Sequence, residues 1–135
     1  MSTELELRHG TVGEAMTPGA LTCAPDTPLR DVAGMMAHHR VHAIVVFGAD
    51  DRLHPWGVVS DLDLIGAVGT DADAGSVAAS PVVTVTPDLS LQHAAALMVE
   101  NATTHLLVIS DKGLPVGVIS SLDIARALAS EGDTA

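Results

Sequence analysis

Apolar positions along the chain fall into two rhythms, and the same succession of rhythms occurs twice. Leu29, Val32, Ala33 and Met36 stand at i, i+3, i+4 and i+7, the spacing that lines one face of a helix. Leu91, Ala94, Ala95 and Met98 repeat it. Asp26 or Thr27, with Pro28 just inside, predicts the start of the first helix, and Asp88 or Ser90 the start of the second. A short extended piece precedes each helix, Leu21–Cys23 or Val82–Val85. An apolar run follows each, Ala43–Phe47 or Leu106–Ile109, and predicts a buried strand. Turns at "GADD" from Gly48 and "SDKG" from Ser110 lead into a second strand that ends at Ser60 or Ser120. A final helix then runs to about Val68 or Ala129. The order β-α-β-β-α, twice, predicts an α/β (α+β) fold.

The two halves match residue by residue. Thr22, Pro25, Asp26, Leu29, Ala33 and Met36 recur 62 positions on as Thr84, Pro87, Asp88, Leu91, Ala95 and Met98. "GVVSDLD" from Gly57 recurs 60 positions on as "GVISSLD" from Gly117. This divides the chain into a first unit at 12–68, a linker at 69–76 that is rich in Gly and Asp, and a second unit at 77–129. A single unit is too small for a secure core, so the two are expected to pack face to face around a pseudo-twofold axis.

Composition narrows the function classes. Of the 135 residues 47% are hydrophobic, enough for a core, and Phe47 and Trp56 are the aromatics, so that core is aliphatic. A formal net charge of −11 argues against a nucleic-acid surface and against an anionic membrane surface. No apolar run is long enough to span a bilayer, and the start MSTELELRHG lacks the apolar core of an export signal. Cys23 is the only cysteine, which leaves no internal disulfide and points to a cytoplasmic setting. As a lone cysteine it reads as a small buried apolar residue before it reads as a nucleophile.

The repeated junction has two readings. Ser60 stands where a helix N-cap belongs, with Asp63 three residues in, and Ser120 and Asp123 repeat the pair. One reading is a capping box, although such boxes prefer Glu or Gln to the shorter Asp. The other uses the same geometry for a ligand. A helix N-terminus seats a phosphate, the serine hydroxyl adds a donor, Asp accepts from ribose hydroxyls, and Gly57 or Gly117 admits close approach.

The series "MTPGALTCAPDTPL" from Met16, the helix with Met35 and Met36, and both G-x-x-[ST]-x-x-D junctions resemble a tandem pair of cystathionine-β-synthase (CBS) domains, a Bateman module, over roughly residues 13–128. The resemblance implies a regulatory module that binds adenine nucleotides or adenosine derivatives in inter-domain clefts and does no chemistry itself. It implies ribose and phosphate contacts at the two junctions. It places the adenine pockets at Thr22, Cys23, Ala24 and Val45 in the first site, and at Thr84, Val85, Thr86 and Leu107 in the second. It also implies a homodimer built through helices, an unidentified regulated protein, and AMP, ADP, ATP or S-adenosylmethionine as candidate ligands, with no cofactor required. Where the family often has Pro in the middle strand, this chain has Val45 and Leu107, and its usual Thr is Ser60 and Ser120.

The sites differ most in charge at one position. Arg126 follows Asp123 by three residues and can reach a phosphate there, whereas Gly66 is its counterpart in the first unit. The second site therefore suits a phosphate, and the first suits adenosine, S-adenosylmethionine or nothing. Arg126 equally fits a solvated helix-face arginine. His38, His39 and His42 sit at the end of the first helix, favoured there by its dipole, with no nearby Cys or carboxylate in sequence to complete a metal shell. The remaining histidines read as surface or strand-edge residues. Asp50-Asp51 and Asp71-Ala72-Asp73 read as turn and linker acids. Trp56 is expected to pack beside the cleft or in the core. No nucleophile–base set emerges, so the chain is not expected to be an enzyme. The alternative to a ligand sensor is an orphan module that dimerises without a ligand.

Overall fold

The computed structural model describes Leu5, Leu7, residues 9–48 and residues 51–131. The turn expected at Gly48–Asp51 falls partly outside them, as does Asp50. Contacts divide the chain into two compact units, one built from Ala20–Val82 and the other from the chain up to Gly19 together with the chain from Val83 onward.

The elements run in the order α1 (Val12–Ala15), β1 (Thr17–Pro18), β2 (Thr22–Cys23), α2 (Leu29–His39), β3 (Ala43–Gly48), β4 (Asp51–Ser60), α3 (Asp61–Gly66), α4 (Ala74–Val77), β5 (Thr84–Val85), α5 (Leu91–Glu100), β6 (His105–Ile109), β7 (Pro115–Ser120) and α6 (Ser121–Glu131). The doubled β-α-β-β-α order is present, as β2-α2-β3-β4-α3 and β5-α5-β6-β7-α6.

In the Ala20–Val82 unit the sheet order is β2-β3-β4, with β2 parallel and β4 antiparallel to β3. Val32 and Met36 of α2 pack on Ile44, Val46 and Val59, and Leu29 and Met35 cover the edge of that core. The helix begins at Leu29 with Pro28, rather than Asp26 or Thr27, as its N-cap, because Pro28 C=O takes the first-turn N–H of Asp31 at 2.9 Å. It ends at Arg40, which adopts the left-handed conformation with φ 55°.

The other unit has the order β1-β7-β6-β5 and a core of Leu91, Ala94 and Met98 against Leu106, Val108 and Ile119, with Val12 fully buried among them. Ser90 caps α5 by accepting from His93 N–H at 3.1 Å.

Three elements carry no periodic signal and were not expected: α1, β1 and α4. A single helical turn is too short to show a repeat of 3.6. The two helical turns are themselves a repeated device. Val12 and Gly13 N–H donate to Leu89 and Pro87 C=O at 2.9 and 2.8 Å, and Ala74 and Gly75 N–H donate to Thr27 and Pro25 C=O at 2.9 and 2.7 Å. α4 occupies the last part of the stretch 69–76 read as a linker. Asp73 caps α4, accepting from Ser76 N–H at 3.0 Å and Ser76 Oγ–H at 2.7 Å, and Ala74 is buried in the core. The bonds from the Ser76 side chain and backbone hold the Asp73 carboxyl below its ordinary range.

Candidate functional site

Each sheet turns one face to its helix core and presents the candidate residues in a fixed register. In the Ala20–Val82 unit Thr22 pairs with Val45 and Val45 with Val58, while Ala43 pairs with Ser60. Ile44, Val46 and Val59 belong to the core, so alternation puts Thr22, Val45, Val58 and Ser60 on the opposite face. The other unit repeats this with Thr84, Leu107, Val118 and Ser120. Val58 and Val118 were not singled out in the sequence. Counting back by two from each serine would have found them.

Cys23 and Val85 take the opposite parity and pack on the helix cores. Burial pushes the Cys23 thiol above its ordinary pKa, partly offset by a bond with the Thr27 side chain. Ala24, half-buried, and Thr86, exposed, follow the strands, and the Thr86 hydroxyl is committed to Asp88 Oδ1 at 2.5 Å.

At the junctions the capping boxes are complete. Ser60 N–H donates to Asp63 Oδ2 at 2.9 Å, and Asp63 N–H donates to Ser60 Oγ at 3.2 Å. Ser120 and Asp123 do the same at 2.8 and 3.3 Å, and Ser120 Oγ–H adds a bond to Asp123 Oδ2 at 3.1 Å. The capping-box reading is thus met although Asp is shorter than the preferred Glu or Gln, since the carboxylate reaches the cap N–H in both copies. Each box uses Oδ2. Among the described residues Asp63 Oδ1 takes no hydrogen bond, and Asp123 Oδ1 faces Arg126 Nη1 at 3.6 Å. Asp123 is buried to 7% exposure, while the Arg126 side chain is 70% exposed.

The glycines of the junctions lie against the protein's own chain. A Cβ on Gly57 would stand 2.8 Å from both Ala78 Cβ and Ala79 O, and one on Gly117 would stand 2.7 Å from both Met16 Sδ and Thr17 O. The close approach they permit is by the protein's own chain.

Each unit has an open concavity beside its junction aspartate. One, of about 420 Å³, is lined by Asp63, Gly66, Ala67, Thr70 and Val77. Its counterpart, of about 550 Å³, is lined by Asp123, Arg126, Ser130 and Glu131 of α6 together with His9 and Glu14. The second is thus the more highly charged, and Arg126 in place of Gly66 supplies its cation.

Trp56 lies neither in the core nor in a covered position. It is the extra residue of a bulge between the Phe47–Pro55 and Val46–Gly57 pairs and is 54% exposed. His38 and His39 stack edge to face with ring centres 4.8 Å apart, and His42 Nδ1 pairs with Asp61 Oδ2 at 3.1 Å. Among the described residues no three His, Cys, Asp or Glu side chains gather as a metal requires, and no helix is long and apolar enough to cross a membrane.

The family model of the CBS domain matches residues 12–70 and again residues 74–130. Hypoxic response protein 1 of Mycobacterium tuberculosis is 32% identical over 124 residues, covering 87% of this chain and 85% of that protein. An uncharacterized protein of Methanopyrus kandleri is 27% identical over 126 residues, covering 89% of this chain, which spans only 63% of that protein's length. The structure of CBSX2 in complex with AMP superposes with a TM-score of 0.71 at 24% identity, covering 92% of this chain and 99% of that one. The CBS domain pair of protein MJ0100, in complex with 5′-methylthioadenosine and S-adenosyl-L-methionine, superposes with a TM-score of 0.78 at 18% identity, covering 90% and 97%.

Proposed function

The chain belongs to the CBS-domain family, and from that premise we propose that it is a regulatory module whose two units each offer a site for an adenine nucleotide or adenosine derivative, and that occupancy is passed to a partner protein. The observation that carries the reading is the repetition of one constellation. Thr22, Val45 and Ser60 share a sheet face that leads to Asp63, and Thr84, Leu107 and Ser120 share one that leads to Asp123. The cap consumes one carboxylate oxygen of Asp63, and the other remains to accept from a ribose hydroxyl. Two structures of the same fold carry AMP in one case and methylthioadenosine with S-adenosylmethionine in the other, which supports adenosine-derived ligands here.

The two sites divide the ligands by charge. In the second, the N-terminus of α6 and the exposed Arg126 head favour a phosphate, as in AMP, ADP or ATP. The first has Gly66 in place of that cation and suits adenosine or S-adenosylmethionine. The module does no chemistry itself. Its one thiol is turned into a core and raised in pKa, the reverse of what activates a nucleophile.

One observation favours an orphan dimerisation module instead. The capping boxes and the packing around Gly57 and Gly117 account for the repeated motif without a ligand. Thermal unfolding in the presence of AMP, ADP, ATP, NAD, S-adenosylmethionine and cyclic di-AMP separates the two readings. A ligand at a hundredfold excess over its dissociation constant stabilises by about 2.7 kcal/mol, and no response to any of them selects the orphan module.

A further inference from the structure

The concavity beside Asp123 is graded in charge along α6. Asp123, Arg126 and Glu131 line it from one face of that helix, in that order from its N-terminus. At a rise of about 1.5 Å per residue, Arg126 stands about 4.5 Å along the axis from Asp123 and Glu131 about 12 Å. Glu14 joins the wall from α1. Both glutamates are held in place. Glu131 Oε1 accepts from His9 N–H at 3.0 Å, and Glu14 Oε1 accepts from Thr11 Oγ–H at 3.0 Å. Among the described residues of the lining Arg126 is the one Arg or Lys, and the other basic side chain is His9, its ring 3.8 Å from Glu131. The C-terminal end of the helix adds a partial negative charge of its own.

A nucleotide with its ribose at Asp123 and its first phosphate at Arg126 occupies the cation of the site with that phosphate. Further phosphates extend into the part of the concavity governed by Glu131, Glu14 and the helix end. Each adds negative charge beside a tethered carboxylate, and like charges brought together in a binding site cost affinity. The concavity beside Asp63 has no such gradient. Asp63 is the one charged residue among its described lining, and Ser76 stands in the place of Glu14 at the repeat spacing of 62.

We infer that Glu14 and Glu131 are specificity-determining residues that make the second site select a nucleoside monophosphate against the di- and triphosphate. The inference rests on the nucleotide reading of that site and fixes what the reading leaves open, the number of phosphates. Titration calorimetry on the full chain with AMP, ADP and ATP tests it, in mildly alkaline buffer with EDTA, so that no divalent cation neutralises a polyphosphate. The wild type is expected to bind AMP at least about tenfold more tightly than ATP, with ADP between them. The double variant Glu14→Gln, Glu131→Gln keeps an acceptor for Thr11 and for His9 and removes both charges. It is expected to narrow the ratio of AMP to ATP affinity by at least about threefold. The two residues line the second concavity and not the first, so their exchange reports on that site. Should the double variant fail to fold, the wild type decides the matter, because added salt screens the repulsion and is expected to narrow the same ratio. A wild type that binds ATP as tightly as AMP, a folded double variant with the wild-type ratio, or a ratio indifferent to salt would each overturn the inference and leave the nucleotide reading standing. Binding of none of the three overturns the nucleotide reading and the inference with it.

Discussion

The guanidinium of Arg126 stands 3.6 Å from Oδ1 of Asp123, the carboxylate oxygen that the helix cap leaves unused. In the other unit Asp63 has Gly66 at that place and its Oδ1 is unpartnered among the described residues. One substitution between two copies of a motif thus converts an open acceptor into half of an ion pair whose cation still faces water. The pair itself contributes little at such exposure, because solvent screens it. On the proposed nucleotide reading, a phosphate would draw on the cation and a ribose on the carboxylate of this pair.

Arg126→Ala is therefore expected to weaken AMP far more than adenosine. Losing a charge-assisted contact is worth about 1.5–3 kcal/mol, roughly 10- to 150-fold in affinity. Titration calorimetry with both ligands checks this. An equal loss for the two would assign Arg126 a packing role only.

The junction aspartates separate capping from binding. Asp63→Ala and Asp123→Ala each remove an acceptor from a cap, which costs about 0.5–2 kcal/mol. The Asp123 change is expected at the upper end, since that residue is 7% exposed and accepts two bonds from Ser120. If the carboxylates serve capping alone, both folded variants keep the wild-type nucleotide shift. On the ribose reading at least one loses it, and Asp123→Ala loses more of the AMP response. Melting curves with and without AMP distinguish these outcomes.

Much of this arrangement was legible in the sequence because it rests on periodicities. The period of 3.6 located α2 and α5, the apolar runs located β3 and β6, and the repeat located both junctions. What escaped were features with no period. The turn α1 is held by backbone bonds to Pro87 and Leu89, far away in the chain, and nothing local announces it. Its one available signal was the pairing of Val12-Gly13 with Ala74-Gly75 at the same spacing of 62 that relates Pro25 to Pro87. The parity of Val85 also escaped, whereas Cys23 packs at the core as the reading of a small buried residue has it. A two-residue strand is too short to show alternation, and only pairing with Val46 and Val108 turns these side chains to the core. Trp56 was misplaced because a bulge, which shifts the register by one, leaves no mark in composition.

Gly57→Ala and Gly117→Ala test what the glycines are for. The added methyl of the first meets the backbone oxygen of Ala79 at 2.8 Å, and that of the second meets the backbone oxygen of Thr17 at 2.7 Å. Backbone cannot rotate aside as a side-chain end can, so each variant is expected to lose about 1–3 kcal/mol. Urea unfolding should show a lower midpoint with an unchanged slope. Variants that keep full stability but lose ligand response would instead return the glycines to a ligand-approach role.

Cys23 makes a prediction that needs no ligand. Its thiol is raised in pKa chiefly by burial, with the Thr27 bond pulling partly the other way. The folded state therefore holds the proton more tightly than the unfolded chain does. This contribution to stability is present below the unfolded thiol's pKa and is lost as pH rises through the folded value. Two results are expected. At neutral pH the folded protein reacts with a thiol reagent such as Ellman's more slowly than the same chain in denaturant, because both thiolate fraction and access are reduced. In alkaline solution the wild type loses stability relative to Cys23→Ala, which has no thiol to ionise. Reaction in the folded state as fast as in the unfolded one, with parallel stability profiles for the two proteins, would place Cys23 outside the core.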